Sequence, residues 1–234
     1  IMTGVYLTIG IIIALSALGY AFYLYKKVLS FDEGEDRVKE ISSYIKDGAK
    51  AFLRSEYKVI YTFIAIASIL IFVGFYFGYD SISGLTENSN TNIPVPQNDH
   101  SDLFFALGTS LSFILGSFFS LAAGYIGMKS ATNANSRTAT AAQQSGMIKA
   151  LEVAFKGGSV MGMGVVGFGL LGLLIVISIS FAFGIHPYEA ITYAAGYSLG
   201  ASSIALFGRV GGGIYTKAAD VAADLVGKIE AGIP

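Results

Sequence analysis

Five charged residues near the end of the sequence have the types and the spacing to bind a phosphate-containing polyanion together with a divalent metal. They lie in the segment RVGGGIYTKAADVAADLVGK and are Arg209, Lys217, Asp220, Asp224 and Lys228. If this segment is an α-helix, all five fall within about 100° of one another around its axis. Lysine and arginine would hold phosphate oxygens, and the carboxylates would hold Mg²⁺, which usually takes one or two carboxylates plus phosphate oxygens. Both charge types are needed, because carboxylates alone repel a polyanion and cations alone place no metal.

The spacing alone also fits a simpler structure for this segment. It could be a solvated helix whose Lys and Asp residues only form surface ion pairs, each worth roughly 0–1 kcal/mol. The run Gly211–Gly213 costs about 1 kcal/mol per glycine within a helix, which indicates either a close approach by another backbone or by a ligand, or a local hinge. It is not a nucleotide-binding loop, because the GxxxxGK[ST] spacing is missing.

The composition shows which elements must position these residues. Of the 234 residues, 53% are hydrophobic and 13% are charged, and the mean hydropathy is +0.62, a balance too apolar for a soluble domain. Five apolar stretches reach the roughly 20 residues that cross a hydrocarbon core as a helix. The predicted fold is all-α, a polytopic transmembrane helix bundle forming one membrane domain over residues 1–234. Its spans are placed at residues 2–25, 59–79, 103–128, 158–185 and 190–208.

The placement of the positive charges predicts the orientation. All 15 Lys and Arg residues fall in three segments, at residues 26–58, 129–157 and 209–234. The connections at residues 80–102 and 186–189 contain none. The positive-inside rule therefore predicts an outer N-terminus, a cytoplasmic C-terminus, three cytoplasmic helical extensions and an outer loop at residues 80–102. No Asp, Glu, Lys or Arg interrupts the spans, so we expect the ion path, if there is one, outside this part of the chain.

The charge and the side-chain inventory exclude several kinds of partner. The net charge of −1 argues against a nucleic-acid partner, which would require a concentrated basic face. There is no cysteine, so neither disulfides nor thiolate metal sites can contribute. His100 and His186 lie in the outer connections without partners at metal-ligand spacing, and we expect them to be surface residues.

Local patterns predict how the helices continue and pack. An apolar stripe at three- and four-residue spacing predicts that the first inner segment is a helix joined to the second span; its members are Val38, Ile41, Ile45, Ala49 and Phe52. Residues 129–157 are predicted to continue the third span. Gly196 and Gly200 form a GxxxG pair that would admit another helix closely. Glu152 has Lys149 and Lys156 at pairing distance on a helix face.

The segment from Arg209 to Lys228 resembles the substrate-binding signature of the membrane-bound inorganic pyrophosphatases, which pump H⁺ or Na⁺. Three earlier stretches resemble the N-terminal third of this family in the same order: ISSYIKDGAKAFLRSEYK at 41–58, GMKSATNANSRTA at 127–139 and KALEVAFKGGSVMG at 149–162. Only the loop at residues 80–102 does not align. Ala222 stands where many members have Gly, and since Ala suits a helix better, the site assignment is unaffected.

The resemblance implies a homodimer of subunits with about sixteen spans, of which this chain would contain the first five, in agreement with the outer N-terminus. It implies hydrolysis of pyrophosphate with Mg²⁺, with K⁺ as an activator of some members, coupled to movement of H⁺ or Na⁺. The membrane would be a cell membrane, or a vacuolar-type membrane in a eukaryote. The chain alone is expected to be inactive, because the family continues into further site residues.

Carried over to this sequence, the resemblance also assigns roles. Arg209 and Lys217 would contact or orient the diphosphate, and Asp220 and Asp224 would serve the metal and the substrate. Lys228 belongs to the same substrate-binding signature. Asp224 is the only candidate here for a position near the attacking water, and the general base is expected on other helices.

Two other classes of protein fit the sequence less fully. One is a secondary transporter that uses the segment from Arg209 to Lys228 as an anion-recognising gate, for which the glycine run is the only hint. The other is a membrane scaffold whose inner helices bind a partner. Closely spaced aspartates on a following helix would favour the pump over both.

Overall fold

The computed structural model describes residues 2–87, 102–185, 187–230 and 232, and over these ranges the chain forms five long helices without a strand. Each contains a stretch long and apolar enough to cross a membrane. The prediction of an all-α bundle with five spans is therefore confirmed, while the direction of insertion stays a prediction. The helices are α1 (Met2–Leu29), α2 (Asp36–Glu87), α3 (Asp102–Ser145), α4 (Met147–Ala182) and α5 (Pro187–Ile229).

Helix α3 is the centre of the bundle. It packs against α2, α4 and α5, while α1 packs mainly on α4. One apolar cluster joins Ile60 of α2, Phe113 of α3 and Ile204 of α5. A second joins Phe105 of α3 to Val176 of α4 and to Tyr193 and Tyr197 of α5. Because α5 shares both clusters, the part of α5 inside the bundle is held firmly on α3.

Glycines allow α3 and α5 to approach closely, as the GxxxG pair predicted. A Cβ atom built on Gly196 would lie 2.8 Å from the carbonyl oxygen of Thr109, and one on Gly200 would overlap the carbonyl oxygen of Phe113. Backbone atoms cannot move aside as a side chain can, so only a residue without a side chain fits at these positions. The predicted helix contact at Gly196 and Gly200 is confirmed.

Helix α2 includes both the predicted inner helix and the second span without interruption. The predicted apolar stripe, however, is wrong at one position: Ile41 is 47% exposed, whereas the next residue, Ser42, is only 3% exposed. The hydroxyl of Ser42 donates to Glu33 Oε1 at 3.3 Å or to the hydroxyl of Ser136 at 3.3 Å. This part of α2 is turned toward polar partners, which a hydrophobic pattern does not detect.

Two connections differ from the prediction. Residues 129–145 continue the third span within α3 as predicted, but residues 147–157 belong to α4, because Gly146 adopts a φ of 80° and separates the two helices. Glycine reaches this left-handed region without steric cost. Residues 80–87, predicted as outer loop, extend α2 by further helical turns, since adding residues to an existing helix costs less than starting one. The rest of the predicted loop to residue 101, with His100, and also His186, lie outside the described residues.

The end of the bundle formed by residues 26–58, 129–157 and 209–230 is called the basic end below. Here Glu33, in the connection between α1 and α2, accepts hydrogen bonds from Lys46 Nζ at 2.6 Å and Arg137 Nη2 at 3.3 Å. Arg137, which is buried, also donates to the carbonyl oxygens of Phe31 at 3.1 Å and Asn133 at 2.7 Å. A buried cation is tolerated only when it is paired in this way, so the network fastens the connection onto α3.

Candidate functional site

The five predicted site residues lie on one continuous helix. Helix α5 is unbroken from Pro187 to Ile229, through the glycine run. The helical phase therefore places Arg209, Lys217, Asp220, Asp224 and Lys228 on one side of α5, and all five are exposed. This side of α5 is called the charged face below.

The charged face offers free groups for binding. Lys217 Nζ lies 3.7 Å from Asp220 Oδ2, with side chains 81% and 59% exposed, and so loose a surface pair contributes little to stability. Among the described side chains, Arg209, Asp224 and Lys228 have no ion-pair or hydrogen-bond partner. Their donors and acceptors are available to a ligand. Since α5 supplies both signs of charge, a metal-bound polyanion fits the face better than a simple anion or cation does.

The charged face is longer than one small ligand. From Arg209 to Lys228 the helix rises about 28 Å, whereas Lys217, Asp220 and Asp224 are spread over only about 10 Å. Lys217, Asp220 and Asp224 are therefore the members that one diphosphate could contact together. Arg209 and Lys228 mark the two ends of the face.

A metal would need ligands besides those of this face. Within the described ranges, no group of three or more His, Cys, Asp and Glu side chains is close enough to hold an ion. Asp220 and Asp224, one turn apart, are two carboxylates of the kind that Mg²⁺ uses together with phosphate oxygens and water. The two aspartates thus fit one part of a magnesium site.

The opposite side of α5 packs against α2, and this contact accounts for part of the glycine run. A Cβ atom built on Gly211 would lie 2.8 Å from Glu56 Cδ and 3.1 Å from Phe52 Cζ, while Gly212 and Gly213 have open space around them. The rings of Phe52 and Tyr215 pack with centroids 5.2 Å apart. The neighbours that approach Gly211 are thus side chains, not the backbone or ligand that was predicted, and the helix has no break there.

A cavity of about 710 Å³ lies between α2, α3, α4 and α5, next to this contact. Its lining is largely apolar, and among the lining residues only Glu56 and Arg209 are charged. Lys217, Asp220, Asp224 and Lys228 do not line it. The structure therefore places Arg209 at the border between the cavity and the charged face, away from the four other predicted site residues.

Two buried carboxyl groups were not singled out from the sequence. Glu189, assigned there to an outer connection, is 4% exposed in the first turn of α5. The buried Oε1 of Glu56 and Oε2 of Glu189 have no hydrogen-bond partner among the described residues. A signal for Glu56 existed, since it follows Ala49 and Phe52 at the helical spacing of the apolar stripe. Glu189 directly precedes an apolar run.

The fold and the charged face define an all-α, multi-pass membrane protein with a candidate phosphate-binding surface at its basic end. Residues 15–234 match the family described as inorganic H⁺ pyrophosphatase, and the chain therefore belongs to this family. The resemblance drawn from the sequence is confirmed.

Individual relatives agree with this assignment. The chain is 41% identical over 230 residues to the "K(+)-insensitive pyrophosphate-energized proton pump" of Chloroflexus aurantiacus, covering 96% of this chain and 27% of the relative. It is 44% identical over 229 residues to the "Putative K(+)-stimulated pyrophosphate-energized sodium pump" of Clostridium tetani, covering 98% and 28%. It is 40% identical over 238 residues to the "K(+)-stimulated pyrophosphate-energized sodium pump" of Thermotoga maritima, covering 95% and 29%.

The chain spans less than a third of the length of these curated relatives. Their names describe pumps energised by pyrophosphate, for protons in one case and for sodium in two. None of the three names describes a secondary transporter or a scaffold, so the comparisons support the predicted pump and not those alternatives.

Proposed function

We propose that this chain forms part of the pyrophosphate site of an ion pump that couples hydrolysis of Mg-pyrophosphate to movement of H⁺ or Na⁺ across a cell membrane. The observation that carries the proposal is the charged face, where an exposed helix of a pyrophosphatase-family chain carries two aspartates between two lysines. Family membership favours this site over a helix with surface ion pairs alone, which the spacing could not exclude.

The family resemblance implies a role for each residue, and the exposed position of each on α5 is compatible with it. Lys217 would bind phosphate oxygens and offset their charge, and Asp220 and Asp224 would hold Mg²⁺. When bound, Mg²⁺ neutralises charge that develops on the leaving phosphate. Asp224 is the residue of this chain nearest the attacking water. Arg209 and Lys228 add positive charge at the two ends of the face, which attracts the diphosphate toward Lys217, Asp220 and Asp224.

The surroundings of the site belong to the same proposal. By the positive-inside rule the basic end is cytoplasmic, so pyrophosphate reaches the charged face from the cytosol. The working protein is a homodimer of longer chains, whose further helices supply the general base and the ion path. K⁺ is its activator if it follows the relatives named as K⁺-stimulated.

The test is hydrolysis by the full-length protein in membranes. Asp220→Ala and Asp224→Ala should each abolish Mg-dependent release of phosphate from pyrophosphate, because each removes a metal ligand. Asp47→Ala is the matched control: Asp47 forms an exposed i,i+3 pair with Lys50 on α2 at 3.4 Å, yet lies off the charged face, and its loss should leave turnover unchanged. Normal turnover in both α5 variants would disprove the site assignment.

A further inference from the structure

Helix α5 meets α2 on the side that faces away from the charged face. Gly211 and Tyr215 lie roughly half a turn around α5 from Lys217, Asp220 and Asp224. Tyr215 packs on Phe52, and a Cβ atom built on Gly48 would lie 3.7 Å from the Tyr215 hydroxyl. Helix α2 therefore supports α5 from behind the charged face without obstructing it.

The contact with α2 is the last described packing of α5 before Lys217, Asp220 and Asp224. Residues 216–226 are all exposed, so within the described structure no other helix covers them. Gly211 is only six residues, or about 9 Å, from Lys217 along the helix. The direction in which the charged face points is therefore set at the contact with α2.

The contact depends on the missing side chain of Gly211. Its backbone is buried, and a methyl group there would overlap the Glu56 carboxyl and crowd the Phe52 ring. The carboxyl is a terminal group that could turn into the cavity, but the ring is held between Gly211 and Tyr215. Phe52 is thus the rigid part of the contact, and Glu56 fills the remaining space.

We propose that Phe52 and Glu56 are positioning residues for the pyrophosphate site, because they pack on Gly211 and fix the distance and rotation of the α5 extension relative to α2. This inference rests on the proposed function and adds to it the contact that orients the charged face. Glu56 acts here by its shape, as a side chain that fills the space beside a glycine, and its charge is not required.

The first experiment compares two neighbouring glycines in the full-length protein. Gly211→Leu should lower kcat/KM for Mg-pyrophosphate about a hundredfold, since a displacement of about 1 Å in a positioned group has this effect. Gly212→Leu carries the same change in helix propensity, but Gly212 has open space around it and borders the cavity, so its kcat/KM should match the parent. Equal effects of the two substitutions would overturn the inference.

The second experiment tests for rescue, and its Glu56 variants decide the matter even if Gly211→Leu alone does not fold. In the double variant Phe52→Ala/Gly211→Leu, the leucine enters the space left by the ring. If the two residues were independent, the fold losses in kcat/KM of the two single variants would multiply. Because they are in contact, the kcat/KM of the double variant should be higher than that product predicts. Glu56→Gln should keep the parental KM and kcat, whereas Glu56→Ala should raise KM and lower kcat. A double variant no better than that product, or a glutamine variant as impaired as the alanine one, would overturn the inference.

Failure of this inference is distinguishable from failure of the proposed function. If Asp220→Ala leaves hydrolysis intact, the charged face is not the pyrophosphate site and the proposed function fails. If Asp220→Ala abolishes hydrolysis while Gly211→Leu behaves like Gly212→Leu, the site stands and only the role of Phe52 and Glu56 is lost.

Discussion

At the scale of single residues, similar ion pairs lie in different surroundings in this chain. Lys217 with Asp220 and Lys50 with Asp47 are both exposed i,i+3 pairs of lysine and aspartate. The pair of Lys217 and Asp220 differs in its neighbours. Asp224 and Lys228 follow on the same side of α5 and have no partners among the described side chains. The local pair therefore does not indicate a binding site, and the proposed site depends on the run of both charge signs along one side of the helix.

Glu33 provides the clearest titratable contribution to stability. Its hydrogen bond from Lys46, aided by the charge of Arg137, holds the pKa of Glu33 below its ordinary value of 4.5. A carboxyl whose pKa is lower in the folded state stabilises the fold above its unfolded pKa, and this contribution is lost as the pH falls through the folded pKa. The connection between α1 and α2 should thus be weakened by acid.

We therefore expect Glu33→Gln to reduce the free energy of unfolding by about 1–3 kcal/mol near neutral pH, the usual cost of unsatisfying a charged hydrogen-bonded group. The difference from the parent should shrink as the pH falls below 4.5 and through the lowered pKa of folded Glu33, because the parental carboxyl then becomes protonated too. Thermal unfolding in detergent at both pH values measures this. Asp36→Asn is the control, since Asp36 pairs with Lys39 in full exposure. A Glu33→Gln effect independent of pH would contradict the electrostatic origin of the stabilisation.

At the scale of helices, the sequence predicted two kinds of feature well. These are the helices apolar enough to lie in lipid and the contacts that small residues allow between helices. The five apolar runs, the Gly196 and Gly200 contact and the pairing of Glu152 with Lys149 and Lys156 all follow from composition and periodicity. These features are local, so the positions of other helices are not needed to predict them.

The sequence was less informative where polar groups are buried by a distant partner. Ser42 is buried because Glu33 and Ser136 lie beside it, and the Oε1 atom of the half-buried Glu56 is buried because Gly211 of α5 leaves room for it. Each depends on a contact between residues far apart in the chain, which periodicity does not contain. The same holds for Arg209, whose place beside the cavity depends on four helices.

The contact between α3 and α5 gives a prediction at this scale. Gly200→Ala forces a methyl group against the backbone carbonyl of Phe113, and overpacking of this kind costs about 1–3 kcal/mol. Gly208→Ala on the same helix meets open space and should be neutral or stabilising, because Ala is the better helix former. Thermal unfolding of the two variants in detergent separates the effects, and equal unfolding temperatures would mean that α3 and α5 are less closely packed than described.

At the scale of the whole molecule, the charged face would supply only part of a magnesium site, and it lies open to further ligands. The chain spans less than a third of its relatives and supplies two exposed carboxylates where a magnesium site requires further ligands. One side of α5 is fixed by α2 and α3, while the charged face has no described neighbour. Under the proposed function, we therefore expect the further ligands of the site to approach α5 from the side of the charged face.

The proposed orientation of the chain in the membrane can be tested by cysteine labelling. Because this chain contains no cysteine, a single cysteine can be introduced into a full-length background cleared of any others and labelled with a membrane-impermeant maleimide. Glu230→Cys, at the end of α5, should react only from the cytoplasmic side, and Ser89→Cys, in the predicted outer loop, only from the outside, because Lys and Arg keep their segments inside. Labelling of Glu230→Cys in intact cells would place the charged face outside, away from cytosolic pyrophosphate, and the proposed function would fail with it.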